Sequence, residues 1–179
     1  LRKVTLSGKA GAGKTSVGKA LAEKMGVPFI SAGSLARKEA QRRKVSIGRL
    51  QELIVLEGGK YDEWLDGEMR RMADELDGFV MDYRLGFHFL PDVPSILLEV
   101  DSEEGYRRIA AQQREVEFSK GNSHEQFRKQ IEKRNSDMRD RFKRIYGVDF
   151  FQPGNYCYSV DTTDRSLEQT VDQILQWIG

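Results

Sequence analysis

A doubly wound α/β fold, one parallel sheet between two layers of helices, is the expectation for this chain, and three observations carry it. Runs of β-prone residues at 4–7, 28–31, 78–83, 95–100 and 156–161 are near-continuously apolar rather than alternating. That is the pattern of strands buried on both faces. Helical segments fill the intervals, so strands and helices alternate along the chain. The first strand runs into Gly8-Lys9-Ala10-Gly11-Ala12-Gly13-Lys14-Thr15, a loop of the form G-x-x-x-x-G-K-[ST] that needs a strand before it and a helix after it.

Each element has its own warrant. Val4-Thr5-Leu6-Ser7 opens the sheet. Residues 16–25 then place Val17, Leu21 and Met25 on one helical face, and Gly26 ends that helix. The second strand follows at 28–31. Residues 33–76 hold three helical segments, broken near Lys44-Val45-Ser46 and at Gly58-Gly59. Residues 102–147 hold two more, broken at Gly121-Asn122. Both crossovers are longer than a plain βαβ unit needs, so the surplus helices are expected to form two flaps over one site, one for each of two substrates. The expectation is a single domain over residues 1–179: five parallel strands, an acceptor-binding insertion at 33–76 and a lid at 102–147.

The long helix at 124–146 carries an apolar stripe, Phe127, Ile131, Met138, Phe142 and Ile145, at helical spacing. It also carries Arg128, Lys129, Lys133, Arg134, Arg139, Arg141, Lys143 and Arg144. Most of these suit a solvated face with i,i+4 ion pairs. Arg134 and Arg141 lie seven apart, hence on one face about two turns from each other.

Chemistry begins at the glycine-rich loop. Its backbone N–H groups converge on a polyphosphate, and the following helix N-terminus adds partial positive charge. Gly8, Lys9, Ala10, Gly11, Ala12, Gly13, Lys14, Thr15 and Ser16 are therefore the candidate ATP-binding residues. Lys14 would reach the β- and γ-phosphates, and the Thr15 hydroxyl would ligate Mg²⁺. A GTPase would also need D-x-x-G and N-K-x-D, and neither occurs in the chain. A small-molecule kinase with a second, phosphate-accepting substrate is the reading left.

Composition narrows the partners. A formal net charge of +1 provides no overall field toward nucleic acid or membrane, and the basic run at 37–44 lacks interleaved aromatics. No apolar stretch approaches the roughly 20 residues of a membrane span, and the first strand starts too near Leu1 to leave room for a targeting segment. A monomeric cytoplasmic enzyme acting on small nucleotides is the expectation. Cys157 has no second cysteine to pair with and is expected to pack within its apolar run. His88 and His124 have no partners at metal-ligand spacing.

Two further segments carry a family resemblance. Ser31-Ala32-Gly33-Ser34-Leu35-Ala36-Arg37 has the S-x-G-x-x-x-R form of nucleoside monophosphate kinases, and Asp82-Tyr83-Arg84-Leu85-Gly86 resembles the strand-end acidic-x-Arg segment of cytidylate kinases. The likeness is nearest to the short, archaeal-type cytidylate kinases and covers nearly the whole chain. It implies that Ser31, Gly33, Arg37 and Arg84 bind the acceptor monophosphate, and that Asp82 acts on Mg²⁺ through a water. Asp62 and Asp66 match the paired aspartates of that family's acceptor flap. Arg108, Arg134 and Arg141 match positions along its lid, and so stand with Lys14 as catalytic candidates. Transfer of the γ-phosphoryl of MgATP to CMP or dCMP is the implied activity. The chain departs from the family at Ser34, Ala36, Tyr83 and Gln112, where acidic, larger apolar, glycine and arginine residues are usual; Arg114 could stand in for the last. Those departures leave two alternatives open, another small-acceptor kinase and a nucleotide-binding regulatory protein with weak transfer activity.

Overall fold

The computed structural model describes residues 2–111 and 124–179. Among them five strands, β1 (Lys3–Gly8), β2 (Phe29–Ser31), β3 (Phe79–Asp82), β4 (Ser95–Glu99) and β5 (Tyr158–Asp161), form one sheet in the order β2-β3-β1-β4-β5. Every neighbouring pair is parallel. The helices are α1 (Lys14–Met25), α2 (Ala32–Arg42), α3 (Ile47–Leu56), α4 (Lys60–Glu75), a single turn α5 (Gly86–Phe89), α6 (Ser102–Ala111), α7 (His124–Tyr146) and α8 (Leu167–Ile178).

Burial on both faces follows from the strand period of two. Val80 enters one apolar cluster with Val4, Leu6, Ile96 and Leu98, where α1 and α8 supply Val17, Leu21, Val171 and Ile174. Its neighbours Phe79 and Met81 enter the other cluster, covered by Met69 and Ala73 of α4 and Phe142 of α7. Each such side chain, taken fully out of water, contributes about 1.5–3 kcal/mol. The insertion α2–α4 has a small core of its own, Ala40, Leu50, Ile54 and Tyr61. It can therefore keep its shape while resting against the sheet.

The strands fall where the sequence places them, and α2, α3 and α4 are separated at the expected breaks. Helix α1 starts at Lys14, two residues earlier than periodicity alone indicates, because Gly13 serves as its N-cap. The turn α5 and a 3₁₀ turn at Pro153–Asn155 were not foreseen; both are too short to show a period. Cys157 is a correction. It is exposed, because β5 is the outer strand of the sheet and Cys157 lies just before it. On α7, Ile131 and Phe142 are buried, while Met138 and Ile145 are half-buried. The side chain of Phe127, with Gln112, Arg114 and the break at Gly121-Asn122, lies outside the described residues.

Candidate active site

Strand register brings the site together. Ser31 of β2 and Leu6 of β1 both pair with Asp82 of β3. The carboxyl ends of three adjacent strands therefore form one row, and the glycine-rich loop leaves β1 just beyond it. In open α/β sheets, ligands bind at such strand ends.

The loop's shape depends on its glycines. Gly8 has φ 145°, and a Cβ there would lie 2.3 Å from the Leu98 carbonyl oxygen. Gly11 has φ 85°, and a Cβ would lie 2.4 Å from the Gly105 carbonyl oxygen, at the start of α6. L-residues avoid such φ values, so the loop can close tightly only with glycine at these points. Lys14 is buried, and its Nζ donates to the Gly8 and Lys9 carbonyls at 2.8 and 2.7 Å. The ammonium is thereby fixed over the loop. Helix α1 begins at Gly13 with no side-chain cap and no acidic residue in its first turn. By contrast, Ser31, Ser46 and Ser166 cap α2, α3 and α8. An uncapped N-terminus presents amide hydrogens to an anion, so this end of the cleft fits a polyphosphate.

A cleft of about 870 Å³ opens above the loop. Its walls include Ala10, Gly11, Gly13, Lys14, Thr15 and Ser16 from the loop side. Ser31, Gly33, Arg37, Asp82 and Arg84 line the opposite end, and Arg108, Arg134 and Arg141 come from α6 and α7. Gly8, Lys9 and Ala12 are not at its wall. Ala12 is fully buried in the core, and the other two act through the carbonyls that hold Lys14.

At the end of the cleft opposite the loop, Ser31 caps α2 by accepting from the Ser34 amide at 3.3 Å. Arg37 donates to the Ser34 hydroxyl at 3.1 Å, and its Nη1 lies 3.6 Å from where a Cβ on Gly33 would sit. Ser34 thus orients the arginine as a neutral acceptor. Arg84 faces the Phe150 ring at 5.9 Å. Burial lowers its affinity for a proton and the nearby Arg134 and Arg141 add to that, while Asp82 opposes them. A cluster of cations held partly out of water is an arrangement that a polyanion stabilises.

Tyr83 is buried, and its hydroxyl donates to Asp66 Oδ1 at 2.7 Å. Tyr146, at the end of α7, donates to Oδ2 of the same carboxylate. One turn earlier on α4, Asp62 Oδ2 lies 3.2 Å from Arg141 Nε. Burial pushes both carboxyls above the usual aspartate range; Arg141 opposes the shift at Asp62, and the two phenols oppose it at Asp66. Arg108 is engaged on several sides. Its Nε donates to Glu104 at 2.7 Å, and its Nη groups donate to the Thr162 hydroxyl at 3.0 Å and to the Thr162 and Thr163 carbonyls at 2.6 and 3.0 Å. Sequence reasoning missed Tyr156, whose hydroxyl donates to the Phe150 carbonyl at 2.6 Å and accepts from Ser7 at 2.9 Å. It packs the segment after α7 against the end of β1, and no local motif marks it.

The sheet order, the glycine-rich loop and the two helical insertions define a P-loop kinase fold. The chain belongs to the cytidylate kinase-like family, whose model matches residues 3–164, and as a member it is a phosphotransferase. It is 30% identical over 176 residues to a cytidylate kinase of Sulfolobus acidocaldarius, covering 97% of this chain and 92% of that one. It is 35% identical over 175 residues to an S-adenosylmethionine-dependent nucleotide dehydratase of Lacinutrix mariniflava, covering 97% of this chain but 35% of that protein's length. The chain thus spans about a third of that relative. Shikimate kinase from Acinetobacter baumannii shares the fold, with a TM-score of 0.62 at 18% identity over 99% of this chain and 93% of that one. Among the described residues no helix is long and apolar enough to cross a membrane.

Proposed function

We propose that the chain transfers the γ-phosphoryl group of ATP to CMP or dCMP, giving ADP and CDP or dCDP. One observation supports this most: a single cleft has a polyphosphate cradle at one end and Arg37 and Arg84 at the other, with Arg134 and Arg141 on its wall. Two anionic substrates can meet there with their charges faced by cations. The family and the Sulfolobus relative favour a cytidine monophosphate as acceptor. The Lacinutrix relative, named for an activity on a nucleotide, agrees with a nucleotide substrate.

In the transfer, an oxygen of the acceptor's phosphate dianion forms the new bond to Pγ. The bond from Pγ to the β,γ-bridging oxygen breaks, and its electrons stay with ADP. The attacking oxygen carries no proton, so no general base is required. The protein contributes alignment and charge neutralisation. Lys14 and the α1 amides hold the β- and γ-phosphates, Arg37 and Arg84 hold the acceptor phosphate, and Arg134 and Arg141 face the charge that spreads over the group in flight. Arg108, with its donors engaged by Thr162, Thr163 and Glu104, keeps the segment after β5 against the cleft. The donor set also fits Mg²⁺, an oxygen-preferring ion: the Thr15 hydroxyl would hold it directly and Asp82 through a water. When bound, Mg²⁺ neutralises phosphate charge.

A coupled assay of ADP release across CMP, dCMP, UMP, AMP and shikimate tests this reading. CMP or dCMP should give the highest kcat/KM. A preference of more than tenfold for AMP or for shikimate would refute the acceptor assignment.

A further inference from the structure

Two rungs join the acceptor insertion to α7. Asp62 and Arg141 form the first. Their side chains are 3% and 15% exposed, with Oδ2 and Nε 3.2 Å apart. Among the described residues neither atom has an aligned hydrogen-bond partner, so the contact is charge against charge. Asp66 and Tyr146 form the second, and Tyr83 at the end of β3 anchors it to the sheet. On α4 the two members are about one turn apart and on α7 they are five residues apart, nearly one and a half turns, so two separate points of contact fix both the distance and the rotation of α7 against α4.

We propose that Asp62 is a positioning residue for phosphoryl transfer: it holds Arg141 at the cleft wall and so makes the acceptor insertion and α7 move as one unit. This rests on the kinase reading above. A guanidinium this deep needs a counter-charge, and Asp62 supplies it from the insertion that lies beside the acceptor. Because the ion pair engages the Nε side, the two Nη groups remain as the planar fork that binds a phosphate bidentately. The dependence is mutual. Burial pushes the Asp62 carboxyl upward, and Arg141 is the largest influence keeping it ionised.

The test compares wild type, Asp62→Asn, Arg141→Ala and the double variant in steady-state assays with ATP and the best monophosphate acceptor, alongside thermal melts. Asp62→Asn should lower kcat by about 10- to 100-fold, the scale of a misplaced catalytic group, with the KM for ATP within about twofold of wild type. In the Arg141→Ala background, the same change should cost less than about twofold, because Asp62 acts through Arg141. A purely structural residue would instead lower Tm and multiply its loss in both backgrounds, which overturns the proposal. So does an Asp62→Asn kcat within twofold of wild type. If Asp62→Asn does not fold, Asp62→Glu decides, with a loss of about 3- to 10-fold that disappears when Arg141 is alanine; a loss that persists refutes the proposal. A wild-type protein inactive on every monophosphate would refute the kinase reading itself and this inference with it.

Discussion

The Tyr83 hydroxyl and Asp66 Oδ1 are joined by a 2.7 Å hydrogen bond inside the protein, and Tyr146 closes on the other carboxylate oxygen. Tyr83 stands between Asp82 and Arg84, where the family resemblance calls for glycine, and this bond is how the chain accommodates the bulk. Removing the hydroxyl in Tyr83→Phe leaves a buried carboxylate one donor short. The expected loss is about 1–3 kcal/mol of stability in urea denaturation, with ATP affinity within twofold of wild type. An unchanged midpoint would mean that the bond contributes nothing.

On the proposed function Lys14 has two tasks, one in the fold and one in the chemistry. Its bonds to the Gly8 and Lys9 carbonyls shape the loop, and its charge faces the phosphates. Lys14→Ala should lower kcat by about 10²–10³ while Tm falls by less than about 8 °C. Wild-type turnover in this variant would remove the loop from the mechanism.

Among the cations of α7, Arg134 and Arg141 line the cleft, and Arg141 is held there beside Asp62. Arg128 pairs with Glu103 and Lys143 with Asp149 on the exposed side. Arg141→Ala should therefore lower kcat by about 10²–10⁴. Arg128→Ala and Lys143→Ala should change it by less than about threefold, because exposed pairs contribute little. Equal, small effects in all three variants would reduce α7 to a charged surface.

Features set by neighbouring residues were legible in the sequence. The phosphate loop and the α2, α3 and α4 breaks follow from glycine spacing or a helical period, while the choice of Arg134 and Arg141 among the α7 cations drew on their shared face together with the family resemblance. What escaped were contacts between distant segments. Tyr146 and Asp66 are 80 positions apart, and no periodicity shows that α7 will lie on α4. Cys157 misled for a related reason: its run is apolar, but whether a strand is central or outer depends on the order of the whole sheet. The ties of Arg108 to Thr162 and Thr163 escaped as well, because they reach across the sequence to the end of β5.

Glu39, buried within the α2–α4 insertion, gives a pH test. Arg42 binds it through Nε and Nη2 at 2.7 Å each, and Arg43 through Nε at 2.6 Å. Arg42 first, then Arg43, holds its carboxyl down to about 2. With the folded value below the unfolded one, about 4.3, its stabilisation is fully present above the unfolded value and is lost as pH falls through the folded one. Glu39→Gln should cost about 1 kcal/mol at pH 7, surface screening included, with the difference from wild type shrinking on acidification and vanishing only below about pH 2. Denaturant titrations at neutral and acidic pH decide it; a difference that grows on acidification contradicts the assignment.

The most direct test of the central claim follows the transferred group itself. The protein is incubated with Mg²⁺, CMP and ATP labelled at the γ-phosphate, and the nucleotides are separated by chromatography. The label should appear in CDP, in step with ADP formation and only when CMP is present. Label released as inorganic phosphate at the same rate with or without CMP would contradict the account, because water rather than a monophosphate held by Arg37 and Arg84 would then be the acceptor.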